Sequence, residues 1–351
     1  MPPSGPQGKT GGTIPPSPPI RFLSLDSPVP SPLTTSPTDL ARAAELLRTG
    51  QCVALPTETV YGLAADATNP AALAQVFAIK GRPLLDPLIV HVLDQAALTE
   101  VAEPDPRLAK LAALWPGPLT VVLRRKSVVP DLVTAGKDTV AVRIPAHPLF
   151  REVLRLAERP LAAPSANPFG YVSPTKAQHV RDSLGERCPW IVDGGACAHG
   201  VESTILDLSV PGRARLLRPG PIPLEKLREL IGEIEVVTRA ANQQAAQDAP
   251  GMLERHYSPA TRVVLFPNGT LPVIANLRSA VLFLGRRAHA PANADVFLLS
   301  EDGSTEEAAR NLFDLLRQLD ARGYETIHAE LALPAGIGAA YNDRLTRAAA
   351  R

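Results

Sequence analysis

Cysteine is scarce in this 351-residue chain: Cys52, Cys188 and Cys197 sit at spacings that fit neither a disulfide framework nor a C-x-x-C metal clip. They read as reduced core thiols of a cytosolic protein. No apolar run approaches the roughly 18 residues needed to span a bilayer, and the N-terminus lacks a basic stretch followed by an apolar one. A protein that neither enters a membrane nor is secreted is expected. An excess of one charge is missing too, since 36 Lys+Arg against 35 Asp+Glu leave only +1. No global field attracts nucleic acid or anionic lipid, so any polyanion site must be local. Aromatics amount to 4% against 45% hydrophobic residues overall, a balance that describes a soluble α/β protein rich in Ala, Leu and Val. Finally, there is no G-x-x-x-x-G-K-[ST], no G-x-G-x-x-G after a strand, no H-E-x-x-H and no G-x-S-x-G. A phosphate site has to be assembled from scattered Lys, Arg, Ser and Thr.

The length predicts two domains. Eleven of the 37 prolines fall within the first 38 residues, among Ser, Gly and Thr, so residues 1–36 read as a flexible tail. Residues 37–231 read as one α/β domain. Its first helix has Thr38 as N-cap and Gly50 as stop; its second has Asn69 as N-cap, Pro70 at the first position and Gly81 just past the end. Strands are expected at Leu88–Val92, Leu119–Leu123, Thr139–Ile144, Trp190–Val192 and Thr204–Leu208. Residues 232–260 lose periodicity and read as a linker, and 261–351 as a smaller, largely parallel α/β domain with a helix over Glu306–Ala321.

The densest stretch is "LPTETVYGLAADATNPAALAQVFAIKGRPLLDPLIVHV", where Thr57-Glu58-Thr59 follows an apolar strand and a helix ends on Lys80-Gly81-Arg82. Thr57 and Thr59 either satisfy loop amides or face a ligand, and Lys80 either complements the helix dipole or does the same. Arg82, beyond the terminal glycine, adds nothing to the helix. In "TVAVRIPAHP", alternation puts Thr139 and Arg143 on one face about 13 Å apart. An arginine in an apolar strand meets an anion or lies on a solvated face. Ser173-Pro174 reads as opening a helix that runs to Gly185, with Ser173 as its N-cap or as part of a phosphate-binding helix terminus. Ser165 and Ser203 lie in or beside turns where hydroxyls are common, and His91 in "PLIVHV" is by default a core histidine.

Taken in order, "PTETVYGL", "KGRP", "PLIVHV", "VRIPAHP", "PSANPFGYVSPT", "GVESTILDL", "RPGPI", "PGMLERHYSP" and "GIGAAYNDRLTRAA" resemble the threonylcarbamoyl-adenylate synthases, in the long two-domain form of the YrdC-like family. The resemblance covers roughly residues 36–351. It implies a strongly twisted mixed sheet with helices around a concave cleft, plus a smaller Rossmann-like α/β domain. It also implies synthesis of threonylcarbamoyl-AMP and pyrophosphate from L-threonine, bicarbonate or carbon dioxide, and ATP, with Mg²⁺ accompanying the ATP. The product serves tRNA-modifying transferase proteins downstream.

By matching position the resemblance implies that Thr59, His91, Arg143, Ala163 and Ser203 hold threonine, with Arg143 on its carboxylate. Lys80 and Arg82 face the phosphates and neutralise charge in the reaction. Arg82, Asp86, Thr139, Ser165, Ser173, Arg218 and Tyr257 surround ATP, Asp86 standing where the family usually has Asn. No protein side chain is assigned to a metal. The linker, with Arg255, His256 and Tyr257 adjacent, reads as a strap over the cleft. A rival reading is a YrdC-like RNA-binding module without synthase activity, against which near-neutral charge and the lack of aromatic clusters both argue.

Overall fold

The computed structural model describes residues 36–188, 190–237, 244–253, 256–274, 278–291 and 293–350. Residues 1–35 of the expected tail, and Arg255 of the expected strap, lie outside them. The first sheet has nine strands: β1 (Val53–Leu55), β2 (Gly62–Asp66), β3 (Ile89–His91), β4 (Leu119–Arg124), β5 (Thr139–Arg143), β6 (Leu161–Ala162), β7 (Thr204–Asp207), β8 (Arg215–Arg218) and β9 (Glu235–Val236). Their order is β1-β2-β6-β3-β5-β4-β7-β8-β9, with β3–β5, β4–β7 and β8–β9 parallel and the other pairs antiparallel. The second sheet, β10 (Arg262–Phe266), β11 (Ser279–Phe283), β12 (Ala294–Leu298) and β13 (Thr326–Glu330), is parallel throughout in the order β10-β13-β11-β12. A large mixed sheet and a smaller parallel one are as expected.

Register explains why residues far apart in sequence meet. His91 pairs with Arg143, Arg143 with Thr120, Thr120 with Ile205 and Ile205 with Arg218, one row across β3, β5, β4, β7 and β8. With strands about 4.8 Å apart, that row spans about 19 Å. Alternation then divides β5: Val140, Val142 and Ile144 enter the largest apolar core, which leaves Arg143 on the opposite face.

Helix ends follow local chemistry. Asn69 accepts hydrogen bonds from the amides of Ala71 and Ala72, and Gly81 closes the helix Pro70–Lys80 at φ +61°, as its sequence predicts. Three expectations need correction. The first helix, Pro37–Arg48, is capped by Ser36 and not Thr38, because Ser36 and Asp39 form a reciprocal capping box. The expected strand at Trp190–Val192 is a single bridge from Ile191 to Ala54. The helix expected from Ser173 starts at Ala177, with Lys176 at its cap, so Ser173 caps nothing. The large sheet also extends beyond residue 231, since β9 pairs with β8 along what reads as linker.

The second sheet does not stand apart. Val60, Val172 and Val201 of the first unit share a core with Phe313, Leu316 and Tyr341 of the second. Polar ties reinforce it: Lys176 pairs with Asp314 at 2.6 Å, and the Arg317 guanidinium lies 4.9 Å over the Tyr171 ring. Among the described residues, no helix is long and apolar enough to cross a membrane.

Candidate active site

A cavity of about 50 Å³ lies over the cross-strand row, roofed by Pro250, Gly251, His256 and Tyr257. Its wall includes Thr59, Arg82, His91, Arg143, Ala163, Ser165, Ser203, Arg218 and Tyr257 among the expected site residues, and also Glu202. Lys80, Asp86, Thr139 and Ser173 do not line it. Lys80 sits behind the wall, Thr139 is at the far end of β5 opposite Arg124, and Ser173 points to Glu202.

The buried arginine of β5 meets its anion within the protein. Arg143 Nη2 lies 2.6 Å from Glu58 Oε1, Nη1 donates to Thr59 Oγ1 at 2.9 Å and Nε to the Gly117 carbonyl at 3.4 Å. Three of five N–H donors are used, leaving two for a carboxylate. Burial pushes the Glu58 carboxyl up, but Arg143 more than offsets it and holds the group below its ordinary value of 4.5. The Ala146 amide donates to the second Glu58 oxygen. Thr57 does what a loop threonine does by default, accepting from the amides of Thr59 and Val60. Beside them, burial and then Arg143 push the His91 imidazole down to about 3, so it is neutral, and its Nδ1 has no hydrogen-bond partner.

Behind the wall, Lys80 Nζ donates to the carbonyls of Ser165 at 2.5 Å and Asn167 at 2.6 Å. Burial, reinforced by Arg82, pushes its ammonium well below the ordinary lysine value. Arg82 donates to the carbonyls of Asp86 and Pro87, and its Nη2 lies 2.9 Å from the Asp86 carboxylate. That contact is a charge contact, and the Gly251 backbone of the strap stands against the same carboxylate. Burial raises the Asp86 carboxyl, with Arg82 opposing. Arg218 donates to the Ser203 carbonyl and hydroxyl, both at 3.1 Å, and to the Pro250 carbonyl of the strap at 3.3 Å.

The described strap residues beside the cavity are packed. Tyr257 is 1% exposed, holds a left-handed φ of +61°, stacks on Phe313 at 5.5 Å, and its hydroxyl has no partner. Gly251, at φ +77°, provides the seat: a Cβ there would come 2.9 Å from the Tyr257 hydroxyl. His256 meets the Tyr257 ring edge-on at 4.2 Å.

Sequence reasoning missed Glu58 as partner of Arg143, and it missed Glu202 and Arg344 altogether. Glu58 stands inside the motif already singled out. Arg344 stands in the quoted stretch "GIGAAYNDRLTRAA", but apart from its neighbour Asp343 its partners Glu202 and Pro219 lie more than 120 residues away, so the sequence does not show what it meets.

A cavity walled by buried cations, on a mixed sheet with a second α/β unit packed against it, is suited to an anionic ligand. Comparison with known proteins makes the class specific. A family model described as "Telomere recombination" matches residues 45–220, and one described as "Threonylcarbamoyl-AMP synthase, C-terminal domain" matches residues 222–350. The threonylcarbamoyl-AMP synthase of Pyrococcus abyssi is 41% identical over 317 residues, covering 87% of this chain and 92% of the relative. That of Bacillus subtilis is 39% identical, covering 90% and 94%. A crystal structure of P. abyssi Sua5 complexed with L-threonine superposes with a TM-score of 0.80 at 40% identity, covering 88% of this chain and 94% of that one. The chain belongs to the threonylcarbamoyl-AMP synthase family.

Proposed function

We propose that this chain is an L-threonylcarbamoyladenylate synthase, a nucleotidyltransferase that joins L-threonine, bicarbonate or carbon dioxide, and ATP into threonylcarbamoyl-AMP and pyrophosphate for tRNA threonylcarbamoyladenosine formation. The observation that carries the reading is Arg143, a guanidinium on the cavity wall, locked by Glu58 and Thr59, with two N–H groups left over. A threonine carboxylate fits that fork bidentately. Thr59, His91, Ala163 and Ser203 would surround the rest of the amino acid; a neutral His91 adds no charge to repel its ammonium.

The threonine amine captures carbon dioxide as a carbamate, whose oxygen attacks the α-phosphorus while pyrophosphate leaves. No covalent nucleophile is needed, and the thiols offer none: burial raises Cys52 to about 12 and Cys197 further. Positioning and charge neutralisation supply the acceleration, with Arg82 and Arg218 on the cavity wall and Lys80 behind it as the cations and Ser165 and Tyr257 as nucleotide neighbours; Ser173, Thr139 and Asp86, off this cavity, would meet the nucleotide only if the site extends beyond it. Among the described residues, no group of three or more His, Cys, Asp or Glu could hold a metal ion. A Mg²⁺ would then be carried by the ATP phosphates, with Asp86, paired to Arg82, and Glu202 on the cavity wall as carboxylates of the same region. It would neutralise phosphate charge.

Ligand pockets usually enclose about 300–1,000 Å³. A cavity of about 50 Å³ therefore admits ATP only after the strap shifts. Its return would exclude water from a product that hydrolyses easily. The RNA-binding alternative gains nothing, because Lys80, Arg82, Arg143 and Arg218 are all buried and cannot reach an RNA backbone. The product would pass to tRNA-modifying transferases in the cytoplasm. The test is pyrophosphate release with threonine, bicarbonate and ATP omitted in turn; release independent of threonine would refute the assignment.

A further inference from the structure

Arg344 is the one arginine with no solvent exposure among the described residues. It stands on the helix Gly338–Ala349 of the second unit, far in sequence from any residue of the cavity. Its Nε donates to Glu202 Oε2 at 2.7 Å, and its Nη2 to the carbonyls of Pro219 at 3.1 Å and Glu202 at 3.4 Å. Its Nη1 donates to Asp343 at 2.7 Å, and the guanidinium carbon lies 5.2 Å from the centre of the Tyr257 ring.

Glu202 gives these contacts their meaning. It is a buried carboxylate on the wall of a cavity read as a site for phosphates, where an unpaired anion opposes binding. Its second oxygen, Oε1, accepts from Ser173 Oγ at 2.5 Å. Burial pushes its carboxyl up, yet Arg344 and then Arg218 pull it below the ordinary value, so it is ionised. The next residue, Ser203, anchors Arg218. One side chain of the second unit therefore reaches the carboxylate that orients Ser173, the segment that anchors Arg218, and the aromatic ring of the strap.

We propose that Arg344 is a positioning residue of the nucleotide half of the site: it cancels the charge of Glu202, fixes that carboxylate onto Ser173, and braces Tyr257. The second unit thus completes the ATP site without touching threonine. This rests on the synthase reading above. Domain glue alone would make a different prediction, because glue is lost whether or not Glu202 stays charged.

The test uses the full chain with Arg344→Met, Arg344→Lys and the double variant Arg344→Met/Glu202→Gln. Affinity for a non-hydrolysable ATP analogue and for threonine is read by calorimetry, and KM for each substrate by pyrophosphate release. Arg344→Met should weaken the ATP analogue and raise the ATP KM about 10- to 100-fold, with threonine affinity within about threefold. Adding Glu202→Gln should recover most of the ATP loss, since the orphaned charge is gone. Equal losses for both ligands, or a double variant as weak for ATP as the single one, would overturn the proposal. Should Arg344→Met not fold, Arg344→Lys carries the test: it keeps the charge, loses the fork, and should show a smaller but still ATP-selective loss, with parallel losses refuting. Failure of the synthase reading shows separately, as wild-type protein without threonine-dependent pyrophosphate release, while analogue affinity still reports on Arg344.

Discussion

Replacing Arg143 by Ala tests the centre of the site by two independent readouts. The side chain is 3% exposed and pairs at 2.6 Å with Glu58, itself 8% exposed. Removing it leaves a buried carboxylate with the Ala146 amide as its remaining donor. Breaking a buried pair from one side costs about 3–5 kcal/mol, a large share of the roughly 5–15 kcal/mol that keeps a domain folded. The same change strips the proposed partner of the threonine carboxylate, about 2–5 kcal/mol in a desolvated site, or at least about 30-fold in affinity.

Acid dependence separates this mechanism from a simple packing defect. In the wild type the Glu58 carboxyl lies below its ordinary 4.5. Between those two values the unfolded chain binds more protons, so the stabilisation from Glu58 is complete above about 4.5 and is lost as pH falls through the folded value. In Arg143→Ala, burial without a partner raises the carboxyl above 4.5, so the folded state binds the extra proton and stability falls as pH rises. The destabilisation measured by urea unfolding should therefore grow as pH rises through about 4.5 and level off once pH has passed the raised carboxyl value. Arg143→Ala/Glu58→Gln should remove that growth without restoring threonine binding. A penalty independent of pH, or unchanged threonine affinity in calorimetry, would refute the argument.

Lys80→Ala and Arg82→Ala should each lower turnover by about 100-fold or more with smaller effects on threonine binding, and normal turnover in both would return Lys80 to a helix-dipole role. Because Arg82→Ala strands the buried Asp86, adding Asp86→Asn should recover stability, read by thermal melting, but not turnover. Tyr257→Phe should change stability by less than about 0.5 kcal/mol, because its hydroxyl has no partner, while Tyr257→Ala should cost about 3–5 kcal/mol; equal losses would show that the hydroxyl is bonded. A chain ended near Ala240 exposes Val60, Val172 and Val201 and strands Glu202, so it should melt lower and make much less threonylcarbamoyl-AMP while still binding threonine; full synthesis would show the strap and second unit dispensable.

What the sequence made legible depended on how local the causes were. The helix Pro70–Lys80 was readable from Asn69, Pro70 and Gly81, because each acts within one turn of itself. The two faces of β5 followed from alternation, and the strap from His256 and Tyr257 between glycine and proline signals. The first cap was misplaced by two residues because Thr38 and Ser36 both suit the role, and only the reciprocal bond to Asp39 decides. Ser173 failed as a cap for a similar reason: a hydroxyl before proline suggests a helix start, but the tertiary partner Glu202 claims it. Strands β2 and β8 were overlooked, and with β8 the register that brings Arg218 into the row of Arg143. Arg344 stands in the quoted stretch "GIGAAYNDRLTRAA", but its contacts with Glu202 and Pro219 exist only once the second unit is docked.

The pairing of charges explains how such a site persists without ligand. Five buried cations, Lys80, Arg82, Arg143, Arg218 and Arg344, stand near three buried carboxylates, Glu58, Asp86 and Glu202. Left unpaired, the cations would unfold the cleft; fully matched, they would have nothing to offer a phosphate. Arg82 is held by Asp86, Arg143 by Glu58 and Arg344 by Glu202, with Asp343 shared between Arg344 and the further cation Arg347, while Lys80 and Arg218 rest on carbonyls and a hydroxyl. Burial, reinforced by Arg82, pushes Lys80 toward its neutral form. An arriving nucleotide reverses that pressure and favours the ammonium. The excess is then two positive charges, and a nucleoside triphosphate carrying Mg²⁺ bears about two negative ones at neutral pH. On the proposed reading threonine, entering as a zwitterion, leaves the balance unchanged, so its carboxylate would take the two spare N–H groups of Arg143 while Glu58 keeps its own.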